Sequence, residues 1–249
     1  MQENWIICPI GTGLEITLAA VKSFYAQDCE NVKILLFDNQ HNWLMPDQDI
    51  APHINHYADT NGKELHWLVR RGSSVSQCWN RSLDLVFRLS DHALVCNNDV
   101  ELRPEGYRLL LEHGGDFVTF QGWGDRDAVF SAELHPEQTD RHPNFCAFLI
   151  RKSAWDKTGR FDERFEPAYY EDNDYHIRLH QAGVLAESIG VPVYHLTNGS
   201  QKYYPPEISG QIRAGGNVNR GRFAEKWHCY PGDDRYNAYF AEKGPHDAV

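Results

Sequence analysis

Apolar runs punctuate the chain at WIICPI (5–10), VKILLFDN (32–39), LHWLVRR (65–71), HALVCN (92–97), FVTFQGW (117–123), FCAFLIRK (145–152) and VPVYHL (191–196). Each is short, rich in β-branched and aromatic residues, and closed by polar or glycine-containing turns, so each predicts a strand. Between the early runs the period changes. From Ser74 to Leu89, Val75, Trp79, Ser82, Val86 and Leu89 recur at helical spacing, with Cys78 and Leu85 widening the stripe. Strands alternating with amphipathic helices predict an α/β fold, with a parallel, doubly wound sheet over roughly the first hundred residues. Beyond about residue 115 the alternation loosens into aromatic strands and long polar loops. The tail from 201, rich in Gly, Pro and Arg, reads as a loop and a short helix closing over something.

A parallel sheet binds its ligand beyond the carboxyl ends of its strands. The first strand ends in Pro9-Ile10-Gly11-Thr12-Gly13, the second in Asp38-Asn39, and the fourth in Asn97-Asn98-Asp99. Asn and Asp are ordinary turn formers, so the last triplet by itself is a turn. Gly11-Thr12-Gly13 suggests a dinucleotide fingerprint, but Ile16 stands where its third glycine belongs. A β-branched side chain there opposes the close packing of helix on strand that the fingerprint needs. A carboxylate at Asp38 can still accept hydrogen bonds from a nucleobase or a ribose.

At 249 residues the chain matches one domain, and 41% hydrophobic content is ample for its core. The net charge of -11 is uneven: residues 1–195 carry 29 acidic and 17 basic side chains, whereas 196–249 carry 6 and 7. Nucleic acid is therefore a disfavoured partner, short of a local basic groove. No apolar run is long enough to span a membrane, and the N-terminus lacks the features of a signal peptide, so a soluble cytoplasmic protein is expected. In that setting Asn80-Arg81-Ser82 and Asn198-Gly199-Ser200 are not expected to carry glycans. The six cysteines, Cys8, Cys29, Cys78, Cys96, Cys146 and Cys229, show no CxxC and no zinc spacing, and are expected as free thiols.

The segment 159–184 carries the most chemistry. Glu171, Asp172 and Asp174 open a helix, where acids complement the helix dipole. Asp174 and Arg178 form an i,i+4 pair on one face with Glu171, while Asp172 leads the stripe Tyr175, Leu179 and Ala182 and so faces the core side. A carboxylate turned inward without an obvious cation is a candidate general base.

Gly159-Arg160-Phe161-Asp162-Glu163, then Tyr170-Glu171-Asp172-x-Asp174 and Arg178 through Gly183, resembles the GGFDE and ED-x-D-x4-R-x4-G pattern of family 2 glycosyltransferases. The opening segment is similar to the same family in its strand ending at Pro9, in Ser23 and Gln27, and in Asp38-Asn39. Asn97-Asn98-Asp99 resembles the NND form of its metal motif. The resemblance spans residues 5 to about 200. It implies a GT-A fold, a Rossmann-like, mostly parallel sheet flanked by helices, with a smaller acceptor-side region. Residues 1–103 would be the nucleotide-sugar-binding half, 104–200 the acceptor and catalytic half, and 201–249 a tail over the site, all within one domain, 1–249.

The implied reaction is metal-dependent, inverting transfer from a nucleotide-diphosphate sugar to an acceptor hydroxyl. Asp38 would contact the nucleobase, Asp99 and His195 would hold Mn²⁺ or Mg²⁺, and Asp172 would be the base. Pro9, Gly11, Asn80, Asn98, Glu171 and Arg178 complete the implied substrate site. Lys202, Arg220 and Arg222 of the tail are further candidates, for the diphosphate. Three departures stand out: Ile10-Gly11-Thr12 replaces the usual aromatic-Asn, Arg71-Gly72-Ser73 replaces an Asn-x-Gly turn, and the QxxRW of processive members is absent. Two rival readings stay open, a catalytically degenerate nucleotide-sugar-binding module and a Rossmann-type nucleotide enzyme. The acceptor, whether saccharide, lipid-linked glycan, protein or modified nucleic acid, stays open as well.

Overall fold

Four apolar runs of the first hundred residues form a parallel sheet. β1 (Asn4–Ile10), β2 (Val32–Asp38), β3 (His66–Val69) and β4 (His92–Cys96) pair in the order β3-β2-β1-β4. The computed structural model describes residues 3–11, 13–39, 49–196 and 202–241. Thr12 of the first strand-end turn and the Asn198-Gly199-Ser200 triplet lie outside the described residues.

Both faces of this sheet are covered, which explains why its strands read as continuous apolar runs. Ile6, Cys8, Ile34, Leu36 and Leu94 face α1 (Leu14–Tyr25) and α2 (Ala51–Thr60) through Ala20, Val21, Phe24 and Ile54. Trp5, Ile7, Leu35, Ala93 and Val95 face α3 (Val75–Val86) through Trp79, Leu83 and Val86. Each such fully buried aliphatic side chain contributes about 1.5–3 kcal/mol relative to exposure. Helix α3 starts where the sequence provides a capping box. The Ser74 hydroxyl accepts from the Gln77 amide, and the Gln77 side chain accepts from the Ser74 amide.

The sheet continues rather than ending at β4. β8 (Ala147–Arg151) pairs antiparallel with β4, β6 (Phe117–Trp123) antiparallel with β8, and β9 (Ala186–His195) parallel with β6. Two short strands, β5 (Val100–Glu101) and β7 (His135–Asp140), add antiparallel to β9. Helices α4 (Gly106–His113), α5 (Arg126–Ser131), α6 (Lys152–Thr158) and α7 (Glu171–Gln181) connect these strands. α8 (Pro206–Trp227) and α9 (Asp234–Ala241) follow.

Several expectations need correction. β5 is two residues long, and β7 is a largely exposed HPEQTD strand, so neither carries an apolar period to detect. The tail is a 22-residue helix rather than a loop with a short helix, its signal hidden by four glycines and a polar face. In α3, Leu83 is buried, whereas Leu85 and Leu89 are exposed, Leu89 because the helix has already ended at Val86. All six cysteines are free thiols, as expected. Among the described residues no helix is long and apolar enough to cross a membrane.

Candidate active site

The carboxyl ends of β1 and β4, the end of β9 and the start of α7 open into one cavity of about 390 Å³. β1 contributes Pro9, Ile10 and Gly11. Asn97, Asn98 and Asp99 follow β4, and His195 closes β9. The turn before α7 adds Ala168 and Tyr169, and the helix itself adds Glu171 and Asp172.

The β5–β9 ladder brings two of these residues together. Val100 pairs with His195, and the Leu196 amide donates to the Asp99 carbonyl at 3.0 Å. His195 Nε2 consequently sits 3.5 Å from Asp99 Oδ1, with Asp99 7% and His195 19% exposed in their side chains. Two donors bound to one cation at about 2.1 Å and near a right angle are about 3 Å apart, so this spacing fits a shared divalent ion. Among the described residues no group of three His, Cys, Asp or Glu side chains gathers for a metal. A site of one carboxylate and one imidazole leaves the remaining positions to ligand oxygens and water, a mixed set that suits Mn²⁺. Asn98 lies beside it, its side-chain amide donating to Thr17 Oγ1 at 2.9 Å.

The carboxylates of α7 divide by environment. Asp174 is fully buried and saturated: it accepts from Arg178 Nε at 2.8 Å and Trp227 Nε1 at 2.9 Å, and pairs with Lys226 Nζ at 2.5 Å. Glu171 and Asp172 instead face the cavity and form no ion pair among the described residues. Burial, reinforced by the neighbouring Asp172 charge, holds the Glu171 carboxyl well above the usual carboxylate range, and its Oε2 has no hydrogen-bond partner. Burial raises Asp172 too, opposed by the Asn173 amide that donates to Oδ1 at 2.7 Å. Both environments favour the protonated form, that of Glu171 more strongly than that of Asp172. Cys146 also lines the cavity, but burial pushes its thiol up and away from a reactive thiolate.

Asp172 does not point into the core as its helical stripe suggested. It is only partly buried and lines the cavity. The turn ahead of α7 is left-handed at both Tyr169 and Tyr170, at φ 77° and 73°.

Three other expected site residues stand back from the cavity. Asn80 stitches α3 to the Gly159–Glu163 segment, donating to the Phe161 carbonyl and to Glu163 Oε1, each at 2.9 Å, and accepting from the Phe161 amide at 2.8 Å. Arg178 is engaged by Asp174 and the Thr158 carbonyl, with its guanidinium over the Tyr175 ring. Asp38 is buried at the end of β2, opposite Ile10, and is not among the lining residues. Its neighbour Asn39 does line the cavity and braces the turn before α3, exchanging bonds of 2.7 Å with the Ser73 amide and carbonyl.

The tail enters differently from expectation. Arg220 lies over the Tyr230 ring, Arg222 bonds the Arg164 carbonyl and Asn219, Lys202 is exposed, and none of the three lines the cavity. Tyr204 and Ile212 take that place. The Tyr204 hydroxyl lies so close over Gly11 that a Cβ there would meet it at 1.9 Å, so glycine is required as the pair stands. Sequence reasoning passed over Tyr204, because one aromatic residue in a Gly- and Pro-rich tail carries no period.

Comparison with solved structures identifies the fold. The chain superimposes on a crystal structure of GalNAc-T7 with UDP, GalNAc and Mn²⁺ at a TM-score of 0.61 and 11% identity, covering 78% of this chain and 44% of that one. It matches S. aureus TarS at 0.57 and 14%, covering 97% and 42%, and TarS 1–349 in complex with UDP-GlcNAc at 0.56 and 15%, covering 87% and 66%. The chain thus spans less than half the length of the first two. The mixed α/β architecture is that of GT-A glycosyltransferase structures. No family model and no curated protein matches the chain.

Proposed function

We propose that the protein is a metal-dependent, inverting glycosyltransferase that moves a sugar from a nucleotide-diphosphate donor to an acceptor hydroxyl. The observation that carries this reading is the placement of Asp99 and His195, 3.5 Å apart, in the same cavity as the Glu171–Asp172 carboxylates. Asp99 and His195 would hold Mn²⁺ or Mg²⁺, which when bound supplies counter-charge for the diphosphate that an acidic chain otherwise lacks.

The protein's own groups account for the rest. Asp172 is the base: its Oδ takes the acceptor hydroxyl proton as the acceptor oxygen bonds to the anomeric carbon and the bond from that carbon to the phosphate oxygen breaks. One displacement by an oxygen on the opposite face inverts the anomeric centre. Glu171, kept neutral beside it, avoids a second charge and can donate a hydrogen bond into the cavity. Pro9, Gly11, Asn39 and Asn98 border the donor end, and Asp38 supports it from behind.

Residues of 1–103, 104–200 and 201–249 all line the cavity, which supports a donor half, an acceptor half and a covering tail within one domain. Donors with UDP as the nucleotide are the first to try, since UDP is the nucleotide of the similar GalNAc-T7 and TarS structures. A thermal-shift panel of nucleoside diphosphates with and without Mn²⁺ tests the reading, because a ligand that binds only the folded state raises its stability. A melting temperature raised by one diphosphate and further by Mn²⁺ supports it. No response to any diphosphate in the presence of Mn²⁺ refutes it.

A further inference from the structure

The turn that carries Glu171 and Asp172 into the cavity is held from outside by the C-terminal helix. Tyr169 and Tyr170 both adopt left-handed backbone, which non-glycine residues hold only where their surroundings enforce it. The enforcing contacts come from α8. Asn219, fully buried, donates from Nδ2 to the Ala168 carbonyl at 2.9 Å and the Tyr169 carbonyl at 3.1 Å, while its Oδ1 accepts from Arg222 at 2.9 Å.

The helix lies against this turn without room for side chains. A Cβ at Gly215 would meet Pro167 Cδ at 2.3 Å, and one at Gly216 would meet Tyr169 Cδ2 at 2.9 Å. Adjacent glycines inside a helix weaken it relative to alanine, so the close approach is made at the expense of helix stability. Further along α8, Lys226 and Trp227 fasten it to Asp174 of α7. The turn is thus gripped on its carbonyls by Asn219 and on its far side by α7. Its product is an α7 that begins with the Asp174 amide bonded to the Tyr170 carbonyl, with Glu171 and Asp172 in the cavity wall.

We propose that Asn219 is a positioning residue that sets the catalytic carboxylate of Asp172 through the backbone carbonyls of Ala168 and Tyr169, a role that rests on the transferase reading above. It touches no reacting atom and acts only through the turn.

The test compares Asn219→Asp, Asn219→Gln and Gly216→Ala with the full chain. Asn219→Asp keeps the shape but replaces the two donated bonds by an acceptor facing two carbonyls. Three readouts are taken: kcat and donor KM for sugar transfer, the carbon-13 titration of the Asp172 carboxyl, and the melting temperature. Asn219→Asp is expected to lower kcat by about 10–100-fold, the range a misplaced catalytic group costs, with donor KM within about twofold. Its Asp172 titration should move toward the ordinary carboxylate range, and Asn219→Gln should recover part of both losses.

Should Asn219→Asp not fold, Gly216→Ala decides, since its Cβ displaces Tyr169: kcat should fall and the Asp172 titration should move while donor KM stays within about twofold. Wild-type kcat and an unmoved Asp172 titration in a folded variant overturn the proposal. So does a loss of kcat that merely follows a parallel loss of melting temperature and donor binding. If the wild-type protein transfers no sugar, the transferase reading has failed, and the Asp172 titration still decides whether Asn219 positions that carboxyl.

Discussion

His195 and Asp99 stand 3.5 Å apart because one register of the β5–β9 ladder, Val100 opposite His195, fixes both backbones. The imidazole is the softer of the two donors, so it should tilt metal preference toward Mn²⁺ over Mg²⁺. His195→Asp makes the pair all-oxygen. Its ratio of Mn²⁺-activated to Mg²⁺-activated rate should fall by about tenfold, measured as activity against each metal titrated separately. An unchanged ratio removes His195 from the metal site.

Asp172→Asn tests the base. General base catalysis contributes about 10²–10⁴-fold, so sugar transfer should drop by that amount while nucleoside diphosphate binding stays within about twofold. Wild-type transfer in the variant contradicts the assignment. A wild-type protein that binds donor but neither transfers nor hydrolyses it would instead be a nucleotide-sugar-binding module.

The carboxylate pair predicts opposite pH trends for rate and stability. Glu171 and Asp172 both have folded-state pKa values raised above their unfolded ones by burial. Their protonated forms stabilise the fold below the unfolded pKa, and that contribution is lost as pH rises through the folded values. Transfer needs ionised Asp172, so the acid limb of the kcat profile should lie above the ordinary carboxylate range. Glu171→Gln removes the second acid. It should raise the melting temperature at pH 7 by about 2–4 °C for each kcal/mol relieved, with a smaller gain at pH 4. A variant equally or less stable at pH 7 would show that Glu171 costs nothing there.

Asp174→Ala should destabilise rather than inactivate by chemistry. The change strands Arg178, Lys226 and the Trp227 indole N–H around a fully buried position. Breaking a buried ion pair from one side costs about 3–5 kcal/mol, readable as a lower denaturant midpoint with an unchanged slope. A loss under about 1 kcal/mol would contradict the buried network.

Much of this architecture is visible in periodicity. The strands of the parallel half are apolar on both faces and α3 carries its own capping box, so local pattern and tertiary need agree there. The convergence of Asp99 and Asp172 followed from the family resemblance and not from the helical stripe, which turned Asp172 toward the core side. What escaped was set by tertiary contact. β5 and β7 exist because β9 offers an edge to pair with, and α8 is held by Asn219 and Lys226 together with the buried Phe223 and Trp227. Asn80 fits a site motif by residue type, yet its partner, Phe161, is visible only in three dimensions, whereas the Asp174–Arg178 pair was already legible as an i,i+4 spacing.

If Asp99 holds the cation that meets the diphosphate, metal and nucleotide bind with positive linkage. Calorimetric titration of the intact chain with UDP, and with the other nucleoside diphosphates, is compared in Mn²⁺ and in chelator, for wild type and for Asp99→Ala. One diphosphate should bind at least about tenfold more tightly with Mn²⁺, a difference of about 1.4 kcal/mol, and Asp99→Ala should abolish that gain. Equal affinity with and without Mn²⁺, or a full Mn²⁺ effect in Asp99→Ala, would contradict the metal role of Asp99.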